Sequence, residues 1–282
     1  YAWTGPNSFT SSSEDPTITG ATTAASGTYN CTVTVAGCTS SAATTSVTVN
    51  AIPSAPTLGS NSPVCEGDDI NLTANTIGGA TYAWTGPNSF SSSLEDPTIT
   101  GATTAADGTY SCTVTVAGCT SSAATESVTV NTVPSAPTVG SNSPVCEGDD
   151  INLTANTIGG ATYAWTGPNS FSSSSEDPTI SGVTTAADGT YNCTVTVAGC
   201  TSTAGSTSVT VNPTPSAPTA GSNSAICEGD DLNLTANTIA GATYAWTGPN
   251  SFTSSSEDPT ITGATTAATG TYNAVSYTHL RA

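Results

Sequence analysis

Along most of this chain, apolar residues alternate with small hydroxyl and amide residues, which is the period-two pattern of half-buried β-strands. No stretch shows a helical period. The alternation is sharpest over residues 108–119, where Tyr110, Cys112, Val114 and Val116 share one face. Ala117-Gly118 then forms a short turn into a returning strand, so the stretch reads as a β-hairpin. The same text starts again at Gly27 and at Gly189. Frequent turn residues between short alternating runs exclude a helical fold and predict an all-β, antiparallel sandwich.

The repetition has a period of 81 residues: Tyr1, Tyr82, Tyr163 and Tyr244 open copies of one text, with Cys31, Cys112 and Cys193 in register. An internal period overrides any domain count drawn from length, and the chain reads as a tandem array. Residues 1–50 are a partial repeat, 53–131 and 134–212 are complete repeats, and 215–274 are a second partial repeat. Each complete copy opens with Pro-Ser-Ala-Pro-Thr, whose prolines stiffen the entry and forbid helix. Short proline-bearing linkers of this kind predict units arranged end to end.

Within one complete unit, Pro63-Val64-Cys65 closes a first strand and Glu66-Gly67-Asp68-Asp69 is an acidic turn. Ile70, Leu72 and Ala74 point inward on the next strand, with Asn71 and Thr73 outward. Thr81–Thr85, Pro97–Thr100, the hairpin and Ser127–Val130 supply the rest, which makes about seven strands in the manner of a two-sheet sandwich. Segment 275–282, VSYTHLRA, matches nothing in the other copies, holds the only His and the only Arg, and follows Ala274 where the period predicts cysteine. It resembles the in-frame translation of a sequencing-library adapter and is set aside as an artefact.

Composition narrows the function. Twenty acidic residues stand against one basic residue in 282, a net charge of −19, with no lysine. Phosphate backbones and anionic membrane surfaces need Lys and Arg, so nucleic acid is excluded as a partner. No apolar run approaches the roughly 18 residues of a membrane-spanning helix, which predicts no membrane insertion in this stretch. The chain contains no Met and opens inside a unit, so it reads as a fragment whose targeting signals lie elsewhere. Nine cysteines without a CxxC pair or a partnering His read as an extracellular disulfide framework, not a metal site.

A Trp on the third strand, followed by Gly108-x-Tyr110-x-Cys112, resembles an immunoglobulin-like domain with Tyr110 as its tyrosine corner. The departure from that pattern is Ala74, which stands where the family carries the second cysteine of the inter-sheet disulfide. More closely, VCEGDDINLTA, YAWTGPNSF, DPTITGATTA and VTVAGCTS resemble the tandem immunoglobulin-like or PKD-like repeats of large surface and secreted proteins of Bacteroidota. The resemblance covers the chain as far as Asn273. It implies a non-catalytic, cell-surface or extracellular region, an adhesive or spacer stalk, whose partners are neighbouring repeats and an extracellular glycan or protein. The alternative is a set of passive linkers in a secreted polysaccharide-degrading enzyme.

Candidate chemistry is sparse. With VSYTHLRA set aside there is no His, Lys or Arg to serve as general base or oxyanion donor, so no catalytic residue and no cofactor site is assigned. Adjacent Glu95-Asp96 point to opposite faces of an extended chain and cannot flank one glycosidic bond. Tyr82 and Trp84 share a strand face that could stack a sugar, yet Trp at this place in a sandwich belongs to the core. Asn71-Leu72-Thr73 and Asn192-Cys193-Thr194 match the glycosylation sequon, a pattern common by chance in a Thr-rich chain. Glu66, Asp68, Asp69 and Asp107 lie at one end of the sandwich and could contribute to a calcium shell, but no spaced DxDxD loop accompanies them, so they read as a solvated acidic turn and no metal site is assigned. Cys112 reads as a buried free thiol. For Cys65, the resemblance implies Cys119 as partner, while end-to-end packing of successive units points to Cys200.

Overall fold

A computed structural model describes residues 1–277. By internal packing the chain forms two compact units, one of Tyr1–Ser135 with Thr196–Thr201, the other of Ala136–Val195 with Ser202 onward.

In the first unit, the alternating pattern of Ile70–Ala74 folds as read: Ile70, Leu72 and Ala74 are buried while Asn71 and Thr73 are exposed. This strand lies between Leu58–Ser60 and Thr98–Ile99, both antiparallel to it. The facing sheet is built on the nine-residue strand Gly108–Val116. Thr81–Thr85 pairs along one side of it, with Ser91–Ser92 outside, and Cys119–Thr120 and Ala124–Val128 pair along the other. Val130–Asn131 then runs parallel to Val64–Cys65 and closes the sandwich edge. The two sheets meet through one core in which Ile70, Leu72 and Ala74 face Trp84, Tyr110, Cys112, Val114 and Val128. Burying side chains of this size is worth about 1.5–3 kcal/mol each and is the main stabilising term. This two-sheet antiparallel arrangement is an immunoglobulin-like β-sandwich.

The second unit repeats the scheme with Ile151, Leu153, Trp165, Tyr191, Cys193, Val195 and Val209 in its core. A smaller core around Leu232, Leu234, Tyr244 and Trp246 follows. There, strand Asn273–Tyr277 pairs with Thr243–Gly248, placing Ala274 opposite Trp246. The strand keeps the phase of the other copies but its residues do not suit it: Ser276 is buried where Val195, one period earlier, is fully buried, and Val275 beside it is 46% exposed. The remainder of the segment set aside from sequence, Thr278–Ala282, lies outside the described residues.

The turns carry the sharpest local requirements. A side-chain carbon placed on Gly86 would lie 2.3 Å from the Tyr110 ring. That ring packs edge-on against Phe90 at 5.4 Å between centroids, and its hydroxyl donates to Ala106 O at 2.8 Å, which is the tyrosine corner read from sequence. The same bond forms at Tyr29, Tyr191 and Tyr272. Burial, and secondarily the charge of Asp107, pushes the Tyr110 phenol upward; Tyr191 behaves likewise beside Asp188.

Candidate functional site

The acidic turn is held together by its own carboxylates. Asp68 Oδ2 accepts from Cys65 N at 3.3 Å, closing the turn on itself. Asp69 Oδ1 accepts from Gly101 N at 2.8 Å, and the Asp68 carbonyl takes the Ala102 amide at 2.8 Å, so the turn is fastened to the chain leaving Thr98–Ile99. Asp107 Oδ2 accepts from Val130 N at 3.0 Å and so anchors the last strand. The same bonds recur at Asp150, Asp188, Asp230 and Asp231. Three of the four candidate calcium ligands therefore serve backbone amides, each in its own place, a charge-assisted bond that stabilises the turn. Glu66, Asp68 and Asp69 are exposed, as the solvated reading of this turn has them, and Asp68 and Asp69 are in addition structural acceptors. Among the described residues no group of three His, Cys, Asp or Glu side chains is arranged to hold a metal ion.

The other candidates also resolve into structure. Glu95 accepts from the Thr76 hydroxyl, while Asp96 Oδ1 accepts from Ala74 N at 3.0 Å, so the two adjacent carboxylates diverge. Trp84 is 1% exposed and its Nε1 donates to Glu95 O at 3.2 Å. Tyr82 is buried, its hydroxyl accepting from Ile77 N and donating to Asn75 O. Neither ring is available to stack a sugar. Of the sequon asparagines, Asn71 Oδ1 accepts from Thr98 and Asn192 Oδ1 accepts from Ser206.

The cysteines separate into distinct roles. Cys112 is a fully buried free thiol, as read, and so is Cys193 one period later; burial pushes both thiols up. Cys65 is bonded to Cys200 with 5.6 Å between Cα atoms, across 135 residues of sequence. The pairing of Cys65 with Cys119 implied by resemblance is overturned, because Cys119 is a free thiol. Geometry explains the outcome: Cys65 lies beside Asn131 at the sandwich edge, whereas Cys119 follows the Ala117-Gly118 turn and its Sγ lies 3.7 Å from Asn50 O. What sequence reasoning missed is the asparagine that closes each copy, Asn50 and Asn131. Asn50 Nδ2 donates to Ala117 O and Asn131 Nδ2 to Ala198 O, at 2.9 and 3.1 Å. Its place in each copy, 81 residues apart, was the available signal.

No family model and no curated protein matches this chain. Similar solved structures include murine CEACAM1b (18% identity, TM-score 0.35, covering 55% of this chain and 99% of that one). A marsupial T cell receptor is 13% identical with a TM-score of 0.39 over 79% of this chain and 100% of its own. Three N-terminal domains of the bacteriophage RB49 Highly Immunogenic Outer Capsid protein (Hoc) are 17% identical, with a TM-score of 0.29 over 75% of this chain and 79% of that one. At such identities the likeness concerns fold alone. Among the described residues no helix is long and apolar enough to cross a membrane.

Proposed function

We propose that this chain is a non-catalytic, extracellular stretch of tandem immunoglobulin-like repeats, 1–50, 53–131, 134–212 and 215–274, that serves a large cell-surface protein as an adhesive or spacer stalk. The repeats are of the kind found in Bacteroidota surface proteins, and 275–282 is foreign to them. A serine in the buried place of Val195 and an exposed Val275 beside it support setting that segment apart.

The observation that carries the reading is the use of polar groups. In the repeat 53–131, Asp68, Asp69, Asp96 and Asp107 all accept backbone amides, and Glu95 and Glu126 accept the hydroxyls of Thr76 and Ser60. An active site needs groups left over to converge on a reacting atom, and these have been spent on holding the sandwich. The Cys65–Cys200 bond supports an oxidising, extracellular setting.

The test is to immobilise the 282-residue chain and challenge it with glycan and matrix-protein arrays, with polysaccharide hydrolysis measured in parallel. A spacer gives neither binding nor turnover, and an adhesin retains one ligand class without turnover. Release of reducing sugar would refute the reading.

A further inference from the structure

The Cys65–Cys200 bond joins two different copies of the repeat: Cys65 belongs to the CEGDD turn of 53–131 and Cys200 to the Ala-Gly-Cys hairpin of 134–212. Both positions recur with the period, the turn cysteine as Cys65, Cys146 and Cys227 and the hairpin cysteine as Cys38, Cys119 and Cys200. Two of the unbonded ones sit in surroundings that match the bonded pair. Cys200 Sγ lies 3.9 Å from Asn131 O, and Asn131 Nδ2 holds Ala198 O. Cys119 Sγ lies 3.7 Å from Asn50 O, and Asn50 Nδ2 holds Ala117 O. On the turn side, Cys146 runs parallel beside Asn212 in the register that sets Cys65 beside Asn131. Cys119 thus stands as one half of such a bond, and Cys146 as the other half of another.

We propose that this disulfide is a periodic element: each turn cysteine bonds the hairpin cysteine of the repeat that follows, in every place where the 81-residue text supplies both. The partner of Cys146 by this rule falls at position 281, held here by Arg281 in the segment set aside from sequence. The buried thiols Cys112 and Cys193 take no part. Because Cys146 lies within the loop closed by Cys65 and Cys200, consecutive loops overlap. Between the first turn cysteine and the last hairpin cysteine, overlap leaves no peptide bond outside a loop, so one proteolytic cut in that stretch does not separate its two sides. Each bond forms from two thiols by exchange with a disulfide oxidant such as oxidised glutathione. One cysteine thiolate displaces a glutathione thiolate, the second cysteine displaces the other, and two glutathione thiols leave with the two protons. The inference is independent of whether the array is a stalk or a linker.

The test completes the fourth repeat in the text of the third: residues 274–282 of the full chain are replaced by the sequence of residues 193–212, which brings a cysteine to position 281. After oxidation with a glutathione couple, non-reducing peptide mapping is expected to show Cys65–Cys200 together with a link from Cys146 to position 281. Cys146→Ser should abolish only the second. If Cys65–Cys200 forms while Cys146 stays free, or Cys146 bonds elsewhere, the proposal fails. An independent measurement uses the unaltered chain and a synthetic peptide of residues 62–69 whose cysteine is carried as a glutathione mixed disulfide. Compared with oxidised glutathione, the peptide should favour Cys119 over exposed Cys38 by about tenfold, a difference of about 1.4 kcal/mol in docking. Equal preference with the two reagents would overturn the proposal whatever the grafted chain does.

Discussion

The repeats 1–50 and 53–131 share nearly the same text from the Trp to the last strand, yet their side chains meet different surroundings. Trp84 is 1% exposed with its Nε1 bonded to Glu95 O, while Trp3 is half-buried and its Nε1 has no partner among the described residues. Val128 is 2% exposed and Val47, one period earlier, is 41% exposed. The backbone does not differ in the same way, since Gly27–Val47 and Gly108–Val128 pair in the same register. What differs is the facing sheet, which Ile70, Leu72 and Ala74 supply in 53–131. Alternation is sufficient to make the strand, and burial has to come from residues elsewhere in the chain.

The largest test of that contrast is Trp84→Ala against Trp3→Ala, read by local hydrogen exchange in the 282-residue chain. Removing the enclosed indole should cost the repeat 53–131 about 3–5 kcal/mol, and removing Trp3 less than half as much because its ring is less covered. Equal losses would break the comparison. Next in size is Gly86→Ala, whose new methyl meets the Tyr110 ring; overpacking of this kind costs about 1–3 kcal/mol. Gly5 stands equally close to Tyr29, and with a looser core around it the same change should cost less by the same readout.

A smaller effect sharpens the comparison at the end of the last strand. Asp107 accepts from Val130 N, and one period earlier Ser26 Oγ accepts from Val49 N at 2.9 Å. Asp107→Ala should therefore lose about 1 kcal/mol, near the usual worth of one hydrogen bond, while Asp107→Ser should be close to neutral. Chemical denaturation of both variants checks this, and a Ser variant as weak as Ala would refute the shared role.

The smallest effect is alkaline. The Cys112 and Cys193 thiols and the Tyr110 and Tyr191 phenols are pushed up in the folded chain from ordinary values of 9.0 and 10.0. Above about pH 9 the unfolded chain releases these protons first, so it binds fewer than the folded chain and stability falls as pH rises. The contribution is whole below the ordinary values and is lost toward the raised ones. Melting temperature should therefore decline from pH 9 to 11, and Cys112→Ala should flatten the early part of the decline. A flat profile over that range would contradict it.

Sequence alone determined the strands, because side chains alternate strictly across a sheet and Ile70, Leu72, Ala74, Tyr110, Cys112 and Val114 could be assigned to one face by counting. It also determined the array, since a period is visible without coordinates, and the core role of Trp84, since a large ring on an inner strand has few other places to go. The tertiary structure decided what counting cannot reach. Asp69 is exposed, as its place in an acidic turn predicts, but that it also fastens Gly101 depends on the packing of another loop. Likewise the partner of Cys65 is separated from it by 135 residues, and only the position of the hairpin tip against Asn131 selects Cys200 over Cys119. Alternation is a local property of the backbone, whereas partnership between distant groups is set where the chain returns to itself.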